Sequence, residues 1–247
     1  MKSMRATRSP WFRVRTASAK LAIAVVATSV LWWIFQRWLG DALPLKPELV
    51  LSRLSLWQPL TYAFLAASPY VDPGGAPFSI IFAALALWSI GGALEMSWGP
   101  RRLIGYTLGC AISAGVLTVL LAFPIARLRA IEFSGAWVMV MAIWIAYGLS
   151  HGRGQLNFWG LPVSGNGFAL LGVGFVLLNA IFRGWYSTPE VLGTAAALTY
   201  LKGGSPRTWL LRFQSWRFRR QLKARSAHLR VIGKSRNTSD ESDRYLH

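Results

Sequence analysis

Six long apolar runs, separated by short polar joints, limit this 247-residue chain to very few architectures. They cover residues 19–39, 78–98, 103–123, 133–149, 165–182 and 189–201. Wound as a helix at ~1.5 Å per residue, about 20 such residues match the ~30 Å hydrocarbon core of a bilayer. Inside lipid a backbone satisfies its polar groups only as a helix or a closed barrel, and apolar runs of this length are read as helices. The expectation is an all-α membrane protein with six spans. The sixth is short, because its thirteen residues reach only about 20 Å.

A net charge of +18 on a soluble domain would point to nucleic acid. Here its distribution reports membrane topology instead. Residues 1–20 carry six Lys/Arg and no acid, and residues 202–247 carry twelve against three acids. With six crossings, Arg101, Arg102 and Arg153 share a side with both tails. That side holds 21 basic residues, and the other holds six: Arg37, Lys46, Arg53, Arg127, Arg129 and Arg183. Basic joints stay in the cytoplasm. Both termini are therefore expected there, in a multi-pass protein of a bacterial inner membrane with no nucleic-acid partner. The first run exceeds the ~7–15 residue core of a signal peptide and is read as a retained span. The single cysteine, Cys110, lies in the third run and cannot form an internal disulfide; it is read as a packing residue. The sequence holds no metal cluster, P-loop or dinucleotide fingerprint, so neither metal nor cofactor is expected.

Three parts follow: a basic tail over 1–18, a membrane domain over 19–204 and a second tail over 205–247. In the last, Trp209, Leu210, Phe213, Trp216 and Leu222 recur at mostly helical spacing, with Arg212, Arg219, Arg220 and Lys223 between them. That pattern predicts a helix on the inner leaflet, with its rings among the headgroups and its arginines toward anionic lipid. In the long first joint, residues 57–65 have the aromatic, amphipathic character of a segment at the lipid–water boundary. Small residues spaced by four, Gly105 with Gly109, Ala111 with Gly115 and Gly193 with Ala197, predict close helix contacts.

Several motifs occur in a fixed order. Trp57, Leu60, Thr61, Phe64 and Leu65 form W-x-x-L-T-x-x-F-L; Leu94 and Glu95 precede the turn Trp98, Gly99, Arg101, Arg102; Ser134-Gly135-Ala136 opens the fourth run; Pro162-Val163 precedes the fifth; Gly193 and Ala197 line the sixth. Over about residues 20–202 this resembles the rhomboid superfamily of intramembrane serine proteases. The resemblance implies a six-transmembrane-helix rhomboid-like bundle. It also implies a serine nucleophile on span four, a histidine base on span six, an H-x-x-x-N on span two that helps hold the oxyanion, and a structural role for Glu95 at the cytoplasmic end.

This chain departs from the family pattern at the chemistry. Ser134 takes the nucleophile position, but Glu132 replaces the glycine that opens the serine motif. The span-two positions fall on Ser79 and Ala83, and the histidine usual after Phe-Leu is Ala66. The span-six histidine falls on Glu190, or on Val191 with the register moved by one. The only histidines are His151, His228 and His247, and none lies inside an apolar run. A serine hydroxyl is a poor nucleophile until a base takes its proton. Ser134 is thus expected to be vestigial, a small packing residue, and no catalytic residue is expected. The expected function is that of a pseudoprotease that binds transmembrane segments of client proteins, as the resemblance to inactive relatives such as the derlins implies. The rival is an active serine peptidase with Ser134 as nucleophile and Glu190 as an atypical base, with Glu132 and Glu190 meeting at the outer mouth of one cavity. Arginine pairing of these carboxylates, by Arg127, Arg129 or Arg183, would give them a purely structural use. A transporter is disfavoured, since no span is broken by a Gly/Pro pair facing a paired charge.

Overall fold

The apolar runs all become helices. In the computed structural model, which describes residues 16–66, 75–152, 154–158, 161–203 and 215, the elements are α1 (Ala17–Leu39), α2 (Pro47–Arg53), α3 (Gln58–Thr61), α4 (Ala76–Trp98), α5 (Pro100–Leu121), α6 (Ala136–His151), β1 (Gln155–Phe158), β2 (Leu161–Ser164), α7 (Gly165–Arg183) and α8 (Thr188–Gly203). Among the described residues four stretches are long and apolar enough to cross a membrane: α1, α4, α5 and residues 165–203, which comprise α7, a 3-10 turn and α8. α6 is apolar but shorter. The chain divides into two units, 1–202 and 203–247. The tail residues Trp209, Arg212, Phe213, Trp216, Arg219 and Arg220 lie outside the described residues.

The elements depart from the apolar runs in three places. α6 begins at Ala136 rather than 133, because Phe133 forms an isolated antiparallel bridge with Leu45. α8 runs on to Gly203 and is 16 residues long, about three more than the apolar run. Between α6 and α7 the chain makes a small antiparallel hairpin, Gln155 opposite Ser164, which the apolar pattern did not announce. Ser164 then caps α7 by accepting from the Gly167 amide at 3.1 Å.

α6 is the centre of the bundle. From Val138 to Ala146 every side chain except Trp144 is buried, as expected of a helix that is apolar on all faces. Its 16 residues span about 24 Å, short of the ~30 Å of a bilayer core. Its N-terminal end, with Phe133, Gly135 and Ala136 all buried, lies inside the protein rather than at a surface. Backbone contact joins α6 to α7, where a Cβ on Gly148 would stand 2.6 Å from the Ala169 nitrogen. Lower on the same seam Trp144 stacks on Phe168 at 4.9 Å and donates to its carbonyl at 3.0 Å. On the other side, Tyr106 of α5 donates to the Ala142 carbonyl at 3.0 Å and packs against Tyr200 of α8.

α1 and α4 are locked at one end by Glu95. Its two carboxylate oxygens accept the backbone N–H groups of Ala17 and Ser18, each at 2.9 Å. The first amides of α1 have no partner within the helix, and a carboxylate there gains from both the hydrogen bonds and the helix dipole. Ser18 can reach this position because Gly91 faces it: a Cβ on Gly91 would sit 3.3 Å from the Ser18 Cβ. Four residues after Glu95, Gly99 turns the chain from α4 into α5 at φ +80°, in the region that favours glycine. Arg102 then lies 4.3 Å over the Trp98 ring. Replacing Glu95 by Ala removes both charge-assisted bonds and is expected to cost about 2 kcal/mol, read as a lower unfolding temperature in detergent. An unchanged midpoint would show that the cap contributes nothing.

Candidate functional site

The serine loop is stitched on both sides to the joint between α1 and α4. Phe133 and Leu45 exchange backbone hydrogen bonds at 2.9 and 3.1 Å, the Gly135 amide donates to the Tyr62 carbonyl at 2.8 Å, and the Ala136 amide to the Leu65 carbonyl at 3.0 Å. The joint can serve as this frame because its motif residues fold it back on itself. Thr61 Oγ1 donates to the Leu43 carbonyl at 2.9 Å and Trp57 Nε1 to the Ala42 carbonyl at 3.0 Å. Gln58, buried, bridges the Asp41 carbonyl and the Lys46 amide. Trp57 is itself half exposed.

Tyr62 is the residue that sequence reasoning passed over. It occupies an unspecified position of the tryptophan motif, and in the fold it is wholly buried, its hydroxyl donating to the Ala111 carbonyl. Its ring is pressed between two glycines. A Cβ on Gly135 would stand 2.5 Å from Tyr62 Cε2, and one on Gly115 would stand 2.8 Å from Cε1. Gly115 was expected to serve a helix contact and instead admits this ring. Gly105 and Gly109 were read as a contact motif too, yet a Cβ on either would meet nothing within 4 Å. In them the spacing reflects glycine-rich composition and not packing.

Gly193 behaves as the small-residue reading predicts. A Cβ there would lie 2.2 Å from Val138 Cγ1 and 3.4 Å from the Ala114 Cβ, which docks α8 on α6 and α5. α6 and α8 are each joined to α7 by a reversal of the chain, so they run the same way. Val138 lies in the first turn of α6, four residues after Ser134, and Gly193 about one turn past Glu190 near the start of α8. Ser134 and Glu190 therefore stand at the same level of the bundle.

Level is not contact. Glu190, its side chain 8% exposed, accepts from Asn179 Nδ2 at 2.6 Å through Oε2, and its Oε1 is 3.9 Å from Arg183. Asn179 and Arg183 are four apart on α7 and so share a face. Of the three arginines that might have paired with it, Arg183 does. Glu132 turns elsewhere: its Oε2 is 3.4 Å from Lys46 Nζ, which also holds Asp41. Burial lowers the pKa of Lys46, but the hydrogen bond to Asp41 and the charges of Glu132 and Asp41 outweigh it, leaving Lys46 above its ordinary value. The two carboxylates expected to meet at one mouth have separate partners, Glu132 in the 41–46 segment and Glu190 on α7.

The remaining sequence candidates fall as follows. Ser134 is partly buried, and among the described residues its hydroxyl makes no hydrogen bond. Ser79 is half-buried and Ala83 wholly buried on α4. Ala66 is buried, its amide donating to Ser29 Oγ at 3.0 Å. His151 closes the far end of α6, its Nδ1 2.8 Å from the Tyr147 carbonyl. Thr194, one turn past Glu190, has a buried hydroxyl with no hydrogen-bond partner among the described residues. Among the described residues no group of three or more His, Cys, Asp or Glu is placed to hold a metal.

The contact at Gly193 makes a specific prediction. Gly193→Ala forces a methyl into Val138 and is expected to destabilise the protein by about 1–3 kcal/mol, as overpacking does. Val138→Ala in the same chain is expected to restore most of the loss. A double-mutant cycle of unfolding midpoints checks this, and additive effects would contradict the contact.

This geometry, a serine loop framed by the α1–α4 joint at the buried head of a central helix, can be set beside known proteins. A comparison with curated proteins finds none that matches. The family model of the Rhomboid domain matches residues 53–200, more than half of the chain and the whole stretch from the end of α2 into α8. The chain belongs to the rhomboid family, whose domain is an α-helical bundle of the membrane.

Proposed function

We propose that this rhomboid is a pseudoprotease: it keeps the membrane bundle and the serine, lacks the base, and binds transmembrane segments of client proteins. One observation carries the reading. His151, the histidine of the membrane domain, sits at the opposite end of α6 from Ser134, about 24 Å away along the helix. A general base must come within hydrogen-bond reach of the hydroxyl it deprotonates. His228 and His247 follow the last apolar run in the sequence.

The rival keeps Glu190 as the base, and its level with Ser134 is the observation in its favour. Against it, both oxygens of Glu190 already face partners on α7, and no hydrogen bond joins it to Ser134. Removing one member of a serine triad costs a hydrolase orders of magnitude in rate. Client binding draws support from the lipid-facing seam between α4 and α7. There Phe82, Trp137 and Phe175 form a run of stacked rings, at 5.6 and 6.3 Å, across the first turn of α6. The two flanking rings are exposed, and aromatic faces of this kind suit an apolar helix.

Labelling with a fluorophosphonate probe tests the first half. The wild-type protein is expected to remain unlabelled, and labelling that disappears in Ser134→Ala would overturn the proposal. If Glu190→Gln also abolished such labelling, the carboxylate would take the place of the histidine. Orientation belongs to the same proposal and rests on the 21-to-6 distribution of basic residues. Reporter fusions after Lys202 and ahead of Trp11 are both expected to read as cytoplasmic; opposite readings would mean an odd number of crossings.

A further inference from the structure

Lys20 is exposed on the first turn of α1 and makes no ion pair among the described residues. One and two turns along the same stripe stand Ile23 and Ala27, which open into a groove of about 410 Å³ between α1 and α4. Ala22 and Ala84 line it between the helices, with Leu85 and Trp88 from α4. Every side chain that lines it is apolar. Its volume falls in the ~300–1,000 Å³ range of sites that hold small molecules.

Position and chemistry narrow the occupant. The α1 residues of the groove run from Ala19 to Ala27, about 12 Å along the axis and a little under half of a ~30 Å hydrocarbon core. Water has no polar partner on such walls. A client helix, ~10–12 Å across and spanning the full depth, would need the trough to continue past Ala27. The lining ends at Ala27 on α1, and Leu31 and Ile34, exposed further along the same stripe at 52% and 58%, are not part of it. What fits is a chain one leaflet deep, anchored beside an ammonium group that makes no ion pair among the described residues, and five more Lys/Arg precede Lys20 in the sequence.

We propose that the α1–α4 groove is a binding site for a phospholipid with an anionic headgroup, one acyl chain lying in the groove and the phosphate on Lys20. The assignment is independent of whether Ser134 is active. The test uses the full chain in phosphatidylcholine vesicles containing a small fraction of phosphatidylglycerol with a diazirine on its acyl chain, with crosslinks mapped by mass spectrometry. Crosslinks are expected to be several-fold denser at Ile23, Leu85 and Trp88 than at Leu170 and Ile181, which are lipid-exposed on α7. Ala27→Phe, at an exposed position that leaves the core untouched, fills the groove and is expected to remove the enrichment; Ala84→Leu fills it from the other side. Lys20→Gln is expected to lower labelling by the phosphatidylglycerol probe several-fold and leave a phosphatidylcholine probe unchanged. Even labelling of α1, α4 and α7, or enrichment that survives all three changes, overturns the site. Label stripped by an added transmembrane peptide would assign the groove to a client helix and overturn it equally.

Discussion

A central helix too short for the membrane and buried on every side sets the rest of this structure. Because α6 spans about 24 Å against a ~30 Å core, the segment that leads into it must end inside the protein. A polar backbone loop at that depth needs partners, and the joint between α1 and α4 supplies them through Leu45, Tyr62 and Leu65. Tyr62 in turn needs glycine at 135 and 115. The motif residues Trp57 and Thr61, with Gln58 between them, hold the frame in which a buried loop is tolerated.

That frame fixes the serine loop through backbone bonds alone. Ser134 lies within a loop whose neighbours on both sides are fixed by backbone bonds, so its position does not depend on a triad. The α8 position level with it holds a carboxylate that Asn179 and Arg183 tie to α7. A charge at membrane depth is retained where it is paired, and this pair helps hold α7 to α8 at the turn between them. The rhomboid bundle is present in this chain, and the proposed loss of catalysis concerns only the side chains it carries.

The helices were legible because apolar length is a local property: each run predicts its helix without knowledge of its neighbours. Gly193 was legible too, since Val138 fills the space its missing side chain leaves. Gly105 and Gly109 show the limit of the same rule, as the spacing is satisfied while both positions face open space. The late start of α6 was hidden because the partner of Phe133 is Leu45, far off in sequence, and no pattern around residue 133 announces that bridge. The hairpin of residues 155–164 was missed because its strands are four residues long. Sequence offered three arginines for Glu190, and only the face shared by Asn179 and Arg183 on α7 selects one. Tyr62 carried a faint signal, a tyrosine inside a recognisable motif, but its role depends on two glycines from distant helices.

The central claim, a rhomboid bundle that holds a client helix without cutting it, is tested most directly by following one labelled transmembrane peptide reconstituted with the protein. Resonance energy transfer between peptide and protein reports binding, and electrophoresis of the same samples reports the peptide's length. The account predicts saturable transfer, an intact peptide after prolonged incubation, and no difference between wild type and Ser134→Ala. Fragments that accumulate with the wild type and not with Ser134→Ala would contradict it.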